Sequence, residues 1–206
     1  MNNHIYRKMK KTEQVFREIL YQAIEKNNPC LKQSGLSKKL KFSLSTINLA
    51  VKKLERMNAI KIKKMEFRIT DVKKILYLWA STRNLEKDII YQTRAEMPVQ
   101  EIEKNLPNIT YAAYSAYKFR FKDVPADYSE VYVYADEKEA EEIKKRFPPN
   151  GKNPNLFVLK QEGIGEYPKT GTIANVFVDL WNLKQWYASD FLKALEQRIM
   201  LMEEKQ

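Results

Sequence analysis

The chain has 206 residues, of which 44% are hydrophobic, and a formal net charge of +11 at pH 7. Its single cysteine, Cys30, and single histidine, His4, exclude an internal disulfide and a Cys/His zinc site within one chain. No apolar run approaches the roughly 20 residues that a membrane-spanning helix needs, and Met1–Lys11 is too polar for a signal peptide. We therefore expect a cytoplasmic protein with no cofactor, no metal site and no membrane partner.

The positive charge is concentrated in the first third of the chain. Residues 1–74 contain 19 Lys and Arg against 6 Asp and Glu, a net charge of +13. Residues 75–206 contain 18 basic and 20 acidic side chains, a net charge of −2. A basic segment joined to a near-neutral remainder is typical of a polyanion-binding module attached to a second unit. We therefore predict two domains, 1–75 for DNA binding and 76–206 for a regulatory or antitoxin role.

Helical spacing of apolar residues organises the first part of the basic segment. It predicts a helix from Glu13 to Glu25 that ends at Asn27-Asn28-Pro29, because proline cannot continue a helix. A short helix is predicted at Ser34–Leu40. Ser43 is predicted to cap a third helix that runs to Met57.

Strand periodicity follows the third helix. Ala59–Lys63 and Glu66–Thr70 alternate apolar and charged residues, which predicts a small hairpin with Lys63-Lys64-Met65 at its tip. Helices followed by a basic hairpin, in this order, predict a winged helix-turn-helix domain. In such domains the second helix of the helix-turn-helix lies in the major groove.

The predicted layout divides the candidate DNA-binding residues into two groups. The start of a recognition helix approaches base edges, so the candidates for direct readout are Ser43, Ser45, Thr46 and Asn48. Basic residues elsewhere on these elements are candidates for phosphates or the minor groove: Lys38, Lys39, Lys41, Lys52, Lys53, Arg56, Lys61, Lys63, Lys64 and Arg68. Each assignment has an alternative. Ser43 can serve only as a helix cap, and Lys53 and Arg56 can be ordinary solvated side chains without a DNA contact.

The remainder of the chain predicts a mixed unit with a small sheet. Further helices are predicted at Asp71–Ser81, Leu85–Ile90, Val99–Leu106, Tyr111–Lys118, Lys138–Phe147 and Ala188–Met202. Strands are predicted at Glu130–Ala135, Leu156–Lys160 and Ile173–Val178. Asp136 and Glu139 predict a capping box, and the glycines at 163, 165 and 171 indicate a long, mobile connection. The predicted fold class is therefore α+β, with a winged helix followed by a mixed α/β domain.

Two sets of side chains in this unit have more than one interpretation. Carboxylates on or beside strands occur in nucleases, and here they are Glu130, Asp136, Glu162 and Asp179. Because no compact acidic cluster with a basic partner is visible, we expect structural roles for them and no catalytic residue. Closely spaced tyrosines can stack bases or line a pocket, and here they are Tyr111, Tyr114, Tyr117, Tyr132 and Tyr134. A helix packed on a sheet is the favoured alternative.

The order of these features resembles that of a known family. After the predicted winged helix come Leu78-Trp79-Ala80 in a helix, the strands Val131–Tyr134 and Asn155–Leu159, and the segment Val176–Leu180 before a final helix. This order resembles the AbiEi-type transcriptional regulators, the antitoxin half of abortive-infection (type IV) toxin–antitoxin pairs, over most of the chain. The resemblance implies repression of the regulator's own promoter. It also implies a nucleotidyltransferase-type toxin that is encoded nearby and is opposed without a tight complex.

Taken together, these patterns predict a sequence-specific regulator that binds double-stranded DNA. A single winged helix covers a short site, so we expect two copies on inverted repeats, as a homodimer or a cooperative pair. Two alternatives stay open. One is a one-component sensor with a small-molecule effector pocket in the C-terminal domain, and the other is a nucleic-acid enzyme that uses the winged helix for docking.

Overall fold

Three helices and a small sheet form the first part of the computed structural model, which describes residues 11–204. The elements are α1 (Lys11–Glu25), β1 (Cys30–Leu31), α2 (Gln33–Leu40), α3 (Leu44–Arg56), β2 (Ile60–Ile62) and β3 (Phe67–Ile69). The strands are antiparallel in the order β1-β3-β2. His4 and residues 1–10, on which the expected lack of a signal peptide depends, lie outside the described residues.

Local sequence explains why α3 begins and ends where it does. The Ser43 side chain accepts a hydrogen bond from the Thr46 backbone N–H, so the predicted N-cap is confirmed. Asn58, just beyond the helix, has a φ of +56°, a conformation that asparagine tolerates better than most residues. The backbone N–H groups of Thr70 and Asp71 then donate to the Ala59 carbonyl, which closes the base of the predicted β2–β3 hairpin.

The second part builds a four-stranded sheet with helices on both faces. Its elements are α4 (Val72–Thr82), β4 (Ile89–Thr93), α5 (Val99–Asn105), β5 (Thr110–Ala112), α6 (Ala113–Phe121), β6 (Val131–Ala135), α7 (Glu137–Arg146), β7 (Leu156–Lys160), α8 (Ile173–Trp181) and α9 (Ala188–Glu204). The strand order is β4-β7-β6-β5, with β6 and β7 parallel and the other pairs antiparallel. The α+β class is therefore confirmed.

Alternation along β6 separates the two faces of this sheet. Val131 and Val133 belong to an apolar cluster with α5 and α7, whereas Tyr132 and Tyr134 belong to a larger cluster with α6 and α8. The larger cluster continues through α4 into α1 and α3. Residue 75 lies inside α4, within this shared core, and the division into 1–75 and 76–206 stays a prediction.

Three predicted elements of the second part are wrong. Ile173–Val178 forms the start of α8 rather than a strand, because Thr172 caps the helix and the run is buried on every side. Tyr111–Lys118 is not a single helix, since Thr110–Ala112 pairs with β6 before α6 begins. Leu85–Ile90 divides into a 3-10 turn at Leu85–Asp88 and the first residues of β4. Short apolar runs cannot by themselves distinguish a buried helix from a strand.

No helix among residues 11–204 is long and apolar enough to cross a membrane.

Gly163 provides a test of how the segment after β7 docks on α1. Its φ is +63°, and a Cβ built on it would lie 3.1 Å from Arg17 Nη2. Gly151 has a similar φ of +66° but open space around the same position. We expect Gly151→Ala to lower the free energy of unfolding by about 1 kcal/mol, the conformational penalty alone, and Gly163→Ala to lower it by clearly more. Urea unfolding of both variants measures the difference, and equal losses would show that Arg17 moves aside freely.

Candidate nucleic-acid interface

The side of α3 that faces away from the core carries a polar and basic stripe. Ile47, Ala50, Val51 and Leu54 are fully buried, whereas Ser45, Leu49, Lys52 and Arg56 are exposed. The exposed residues are spaced by four, three and four positions, so they lie along one face of the helix. Lys53 is exposed beside this stripe.

Basic side chains on the flanking elements extend the exposed positive charge. Lys38 and Lys41 are exposed at the end of α2, which packs against α3. On the hairpin, Lys61 and Arg68 are direct cross-strand partners, so two like charges stand side by side. Such a pair is unfavourable unless an anion lies near it.

Most of the predicted phosphate-contacting residues have no acidic partner. Within the described part of the chain, no ion pair is formed by Lys38, Lys41, Lys52, Lys53, Arg56, Lys61, Lys63, Lys64 or Arg68. All of them are exposed. These nine side chains therefore present to solvent positive charge that no ion pair among the described residues neutralises, and the exposed acidic residue of α3 is Glu55.

Lys39 differs from the other predicted basic residues, because its ammonium group is paired with a buried carboxylate, although 40% of the side chain is exposed. Its Nζ lies 2.8 Å from the buried Glu18 Oε1 and within 6 Å of the ring centroids of Tyr21 and Tyr167. The Tyr167 hydroxyl donates to Glu18 Oε2 at 2.6 Å. Lys39 therefore connects α2 to α1 and to the segment after β7, a structural role that needs no phosphate.

Three of the predicted base-reading residues, Ser43, Thr46 and Asn48, also have side-chain partners within the protein. Asn48 is half-buried, and its Nδ2 donates to Gln33 Oε1 of α2 at 3.2 Å. Ser43 Oγ lies 2.9 Å from Thr46 Oγ1 in addition to its capping bond. Ser45 is the candidate of this group that is exposed and has no such partner among residues 11–204.

Large exposed apolar side chains lie among these polar groups, and sequence reasoning did not select them. Leu49 is 69% exposed in the middle of the α3 stripe, Leu44 is 55% exposed at its start, and Met65 is 73% exposed at the hairpin tip. One sequence feature could have identified Leu49 as exposed, because it falls outside the apolar stripe of its helix.

A buried ionic cluster centred on Arg83 connects the two parts of the chain. Arg83 Nη1 lies 2.6 Å from Asp88 Oδ2 and 3.6 Å from Glu13 Oε2, and its Nη2 lies 3.8 Å from Asp179 Oδ1. The Tyr134 hydroxyl donates to Asp179 at 2.8 Å. Burial raises the pKa of Asp179 to about 6 and that of Asp88 to about 6, although Arg83 acts against both shifts. Sequence reasoning missed this cluster.

The four carboxylates considered for nuclease chemistry do not converge on one site. Asp136 forms the predicted capping box with Glu139, Asp179 belongs to the Arg83 cluster, and Glu130 accepts a hydrogen bond from Tyr187. The backbone carbonyl of Glu162 accepts a hydrogen bond from Arg17 Nη2 at 2.7 Å. Among residues 11–204, no three His, Cys, Asp or Glu side chains are arranged to hold a metal ion.

The tyrosines considered for base stacking lie mostly in the core. Tyr114, Tyr117, Tyr132 and Tyr134 are at most 5% exposed, so a stacking platform made of them is wrong and the helix-on-sheet interpretation is confirmed. The ring of Tyr114, for example, contacts the rings of Tyr128, Tyr187 and Phe191.

Comparisons with protein-family models, with curated proteins and with solved structures found no match to this chain.

Proposed function

We propose that this protein binds double-stranded DNA with sequence preference and regulates transcription. One observation carries the proposal: the exposed stripe of α3 is surrounded by lysine and arginine side chains without acidic partners in the described chain. Uncompensated positive charge on a compact surface attracts the phosphate backbone, and phosphate contacts supply most of the non-specific affinity of DNA-binding proteins.

In this proposal, α2 and α3 form a helix-turn-helix and the β2–β3 hairpin is its wing. The 13 residues of α3 span about 20 Å, and a major groove about 12 Å wide admits a helix. Ser45 then meets base edges near the start of α3, while Lys52, Lys53 and Arg56 meet phosphates further along it. Lys61, Lys63, Lys64 and Arg68 of the hairpin contact the adjacent backbone.

The regulatory part of the proposal rests on site size and on the resemblance to AbiEi-type antitoxins. One module of this size covers too few base pairs to discriminate a site within a genome. Two copies on inverted repeats upstream of the protein's own gene would supply the missing discrimination and repress the operon. A nucleotidyltransferase-type toxin encoded nearby would be the functional counterpart, without a tight complex.

The proposal is tested by selecting binding sites from a random duplex pool with the full-length protein. We expect one enriched motif and, for about six phosphate contacts, a log affinity that falls with log salt at a slope of roughly −5. Footprinting upstream of the protein's own gene should show two protected half-sites, with affinity lost when about half a helical turn of DNA is inserted between them. No enriched motif and no duplex binding at low salt would contradict the proposal.

A further inference from the structure

A leucine occupies the centre of an otherwise polar and basic helix face. Leu49 is 69% exposed, while Ser45, Lys52 and Arg56 before and after it in the stripe are all polar or charged. On the core-facing side of α3, Ile47, Val51 and Leu54 are completely buried, and the other exposed leucine of the helix, Leu44, is its first residue and lies outside the stripe. Leu49 therefore contributes nothing to the core that the helix packs against, and its side chain is available to a partner.

The charges around Leu49 indicate the chemistry of that partner. The exposed residues nearest to it along α3 include Lys52 and Lys53, and neither has an acidic partner in residues 11–204. Charged residues, lysine among them, are depleted at the centre of protein–protein interfaces, so this face fits a polyanion better than a second protein. Duplex DNA combines a phosphate backbone with one methyl group on the major-groove edges of its bases, the C5-methyl of thymine.

We propose that Leu49 is a specificity-determining residue that recognises a thymine through its C5-methyl group, an inference that rests on the proposed DNA-binding function. Along the helix axis, Leu49 lies about 6 Å beyond Ser45 and about 4.5 Å before Lys52. Neighbouring base pairs are stacked about 3.4 Å apart. Leu49 thus contacts a base pair between the one that Ser45 reads and the phosphates that Lys52 and Arg56 hold in place.

The test removes the methyl group alone. In the operator selected by the full-length protein, each thymine is replaced singly by deoxyuridine, which leaves every hydrogen-bonding group unchanged. The wild-type protein should lose about fourfold in affinity at one position of each half-site, the effect of one buried methyl group. Leu49→Ala should bind the thymine operator roughly tenfold more weakly and should no longer distinguish thymine from deoxyuridine at that position.

A matched substitution and a gain of affinity complete the experiment. Leu201→Ala removes a leucine that is 55% exposed on α9, away from the basic stripe, and should bind both operators like the wild type. At the same position, 5-methylcytosine should bind wild-type protein more tightly than cytosine, and Leu49→Ala should bind the two equally.

The outcomes separate this inference from the function on which it rests. If the wild-type protein selects an operator but Leu49→Ala keeps the same response to deoxyuridine at every position, the inference is overturned and the proposed function stands. If the wild-type protein binds no duplex, both fail. The thermal unfolding temperature of Leu49→Ala is measured as a control. If it equals that of the wild type, any loss of affinity is not due to a loss of fold.

Discussion

Replacing Lys52, Lys53 and Arg56 together by alanine is expected to lower duplex affinity about a hundredfold at 0.15 M salt. If each side chain neutralises one phosphate, binding through it releases about 0.9 counterions. Without that release, the affinity for duplex DNA falls by a factor of about five per side chain at this salt concentration. The slope of log affinity against log salt should become shallower by nearly three for the same reason. All three side chains are exposed and lie on a helix, where alanine is well tolerated, so the fold should persist.

The matched control changes the net charge by the same amount elsewhere. Lys87, Lys138 and Lys145 are exposed, lie beyond residue 75 and form no ion pair with another described residue. Replacing these three by alanine should change duplex affinity less than twofold, since charges more than about 8 Å away are largely screened at this ionic strength. Fluorescence anisotropy with a labelled duplex measures both variants. Equal losses in the two variants would show that net charge alone, and not the α3 surface, governs binding.

Arg83→Met is expected to destabilise the protein by about 3–5 kcal/mol at pH 7, which is a large part of the stability of an ordinary domain. The substitution keeps an unbranched side chain of similar length but leaves the carboxylates of Glu13, Asp88 and Asp179 buried without their cation. Removing one partner of a buried ion pair costs far more than a surface pair, because the remaining charge stays desolvated. Urea unfolding followed by circular dichroism measures the loss.

The pH dependence of this loss identifies its cause. Asp179 and Asp88 already have a pKa of about 6 in the folded protein, against about 3.9 in an unfolded chain. Between pH 4 and pH 6 the folded state therefore binds more protons, so the stability that these two groups contribute falls as the pH rises through that window. Arg83 opposes both upward shifts, so its removal should raise both pKa values further.

The deficit of Arg83→Met should accordingly be smaller at pH 5 than at pH 7, because protonation neutralises the carboxylates that have lost their partner. Adding Asp179→Asn to this variant should recover part of the stability at pH 7, since the amide is uncharged and can still accept from the Tyr134 hydroxyl. The other charged groups near Asp88, Glu162 and Lys160, are unchanged in all of these variants. A deficit that is the same at both pH values and unaffected by Asp179→Asn would mean that lost packing, not unpaired charge, is responsible.

The structure of the first third of the chain follows closely from local sequence. Ser43 caps α3, Asn58 ends it with a positive φ, and the alternation around Lys61 and Arg68 forms the hairpin. These features depend on residues only a few positions apart, so their periodicity and capping chemistry are visible without knowledge of the fold. The concentration of positive charge before residue 75 is likewise a property of the sequence alone.

Only the tertiary structure decided the features that depend on burial on several sides or on distant partners. Ile173–Val178 has the composition of a strand but forms a helix, and because it is enclosed by α1, α4, α6 and α9 it has no exposed polar face whose period could have shown this in the sequence. The partners of Arg83 come from positions 13, 88, 134 and 179, a set that no spacing rule could assemble. In the same way, Lys39 belongs by sequence to a basic surface, and only the fold shows that its ammonium group pairs with Glu18, a carboxylate whose burial requires a nearby cation.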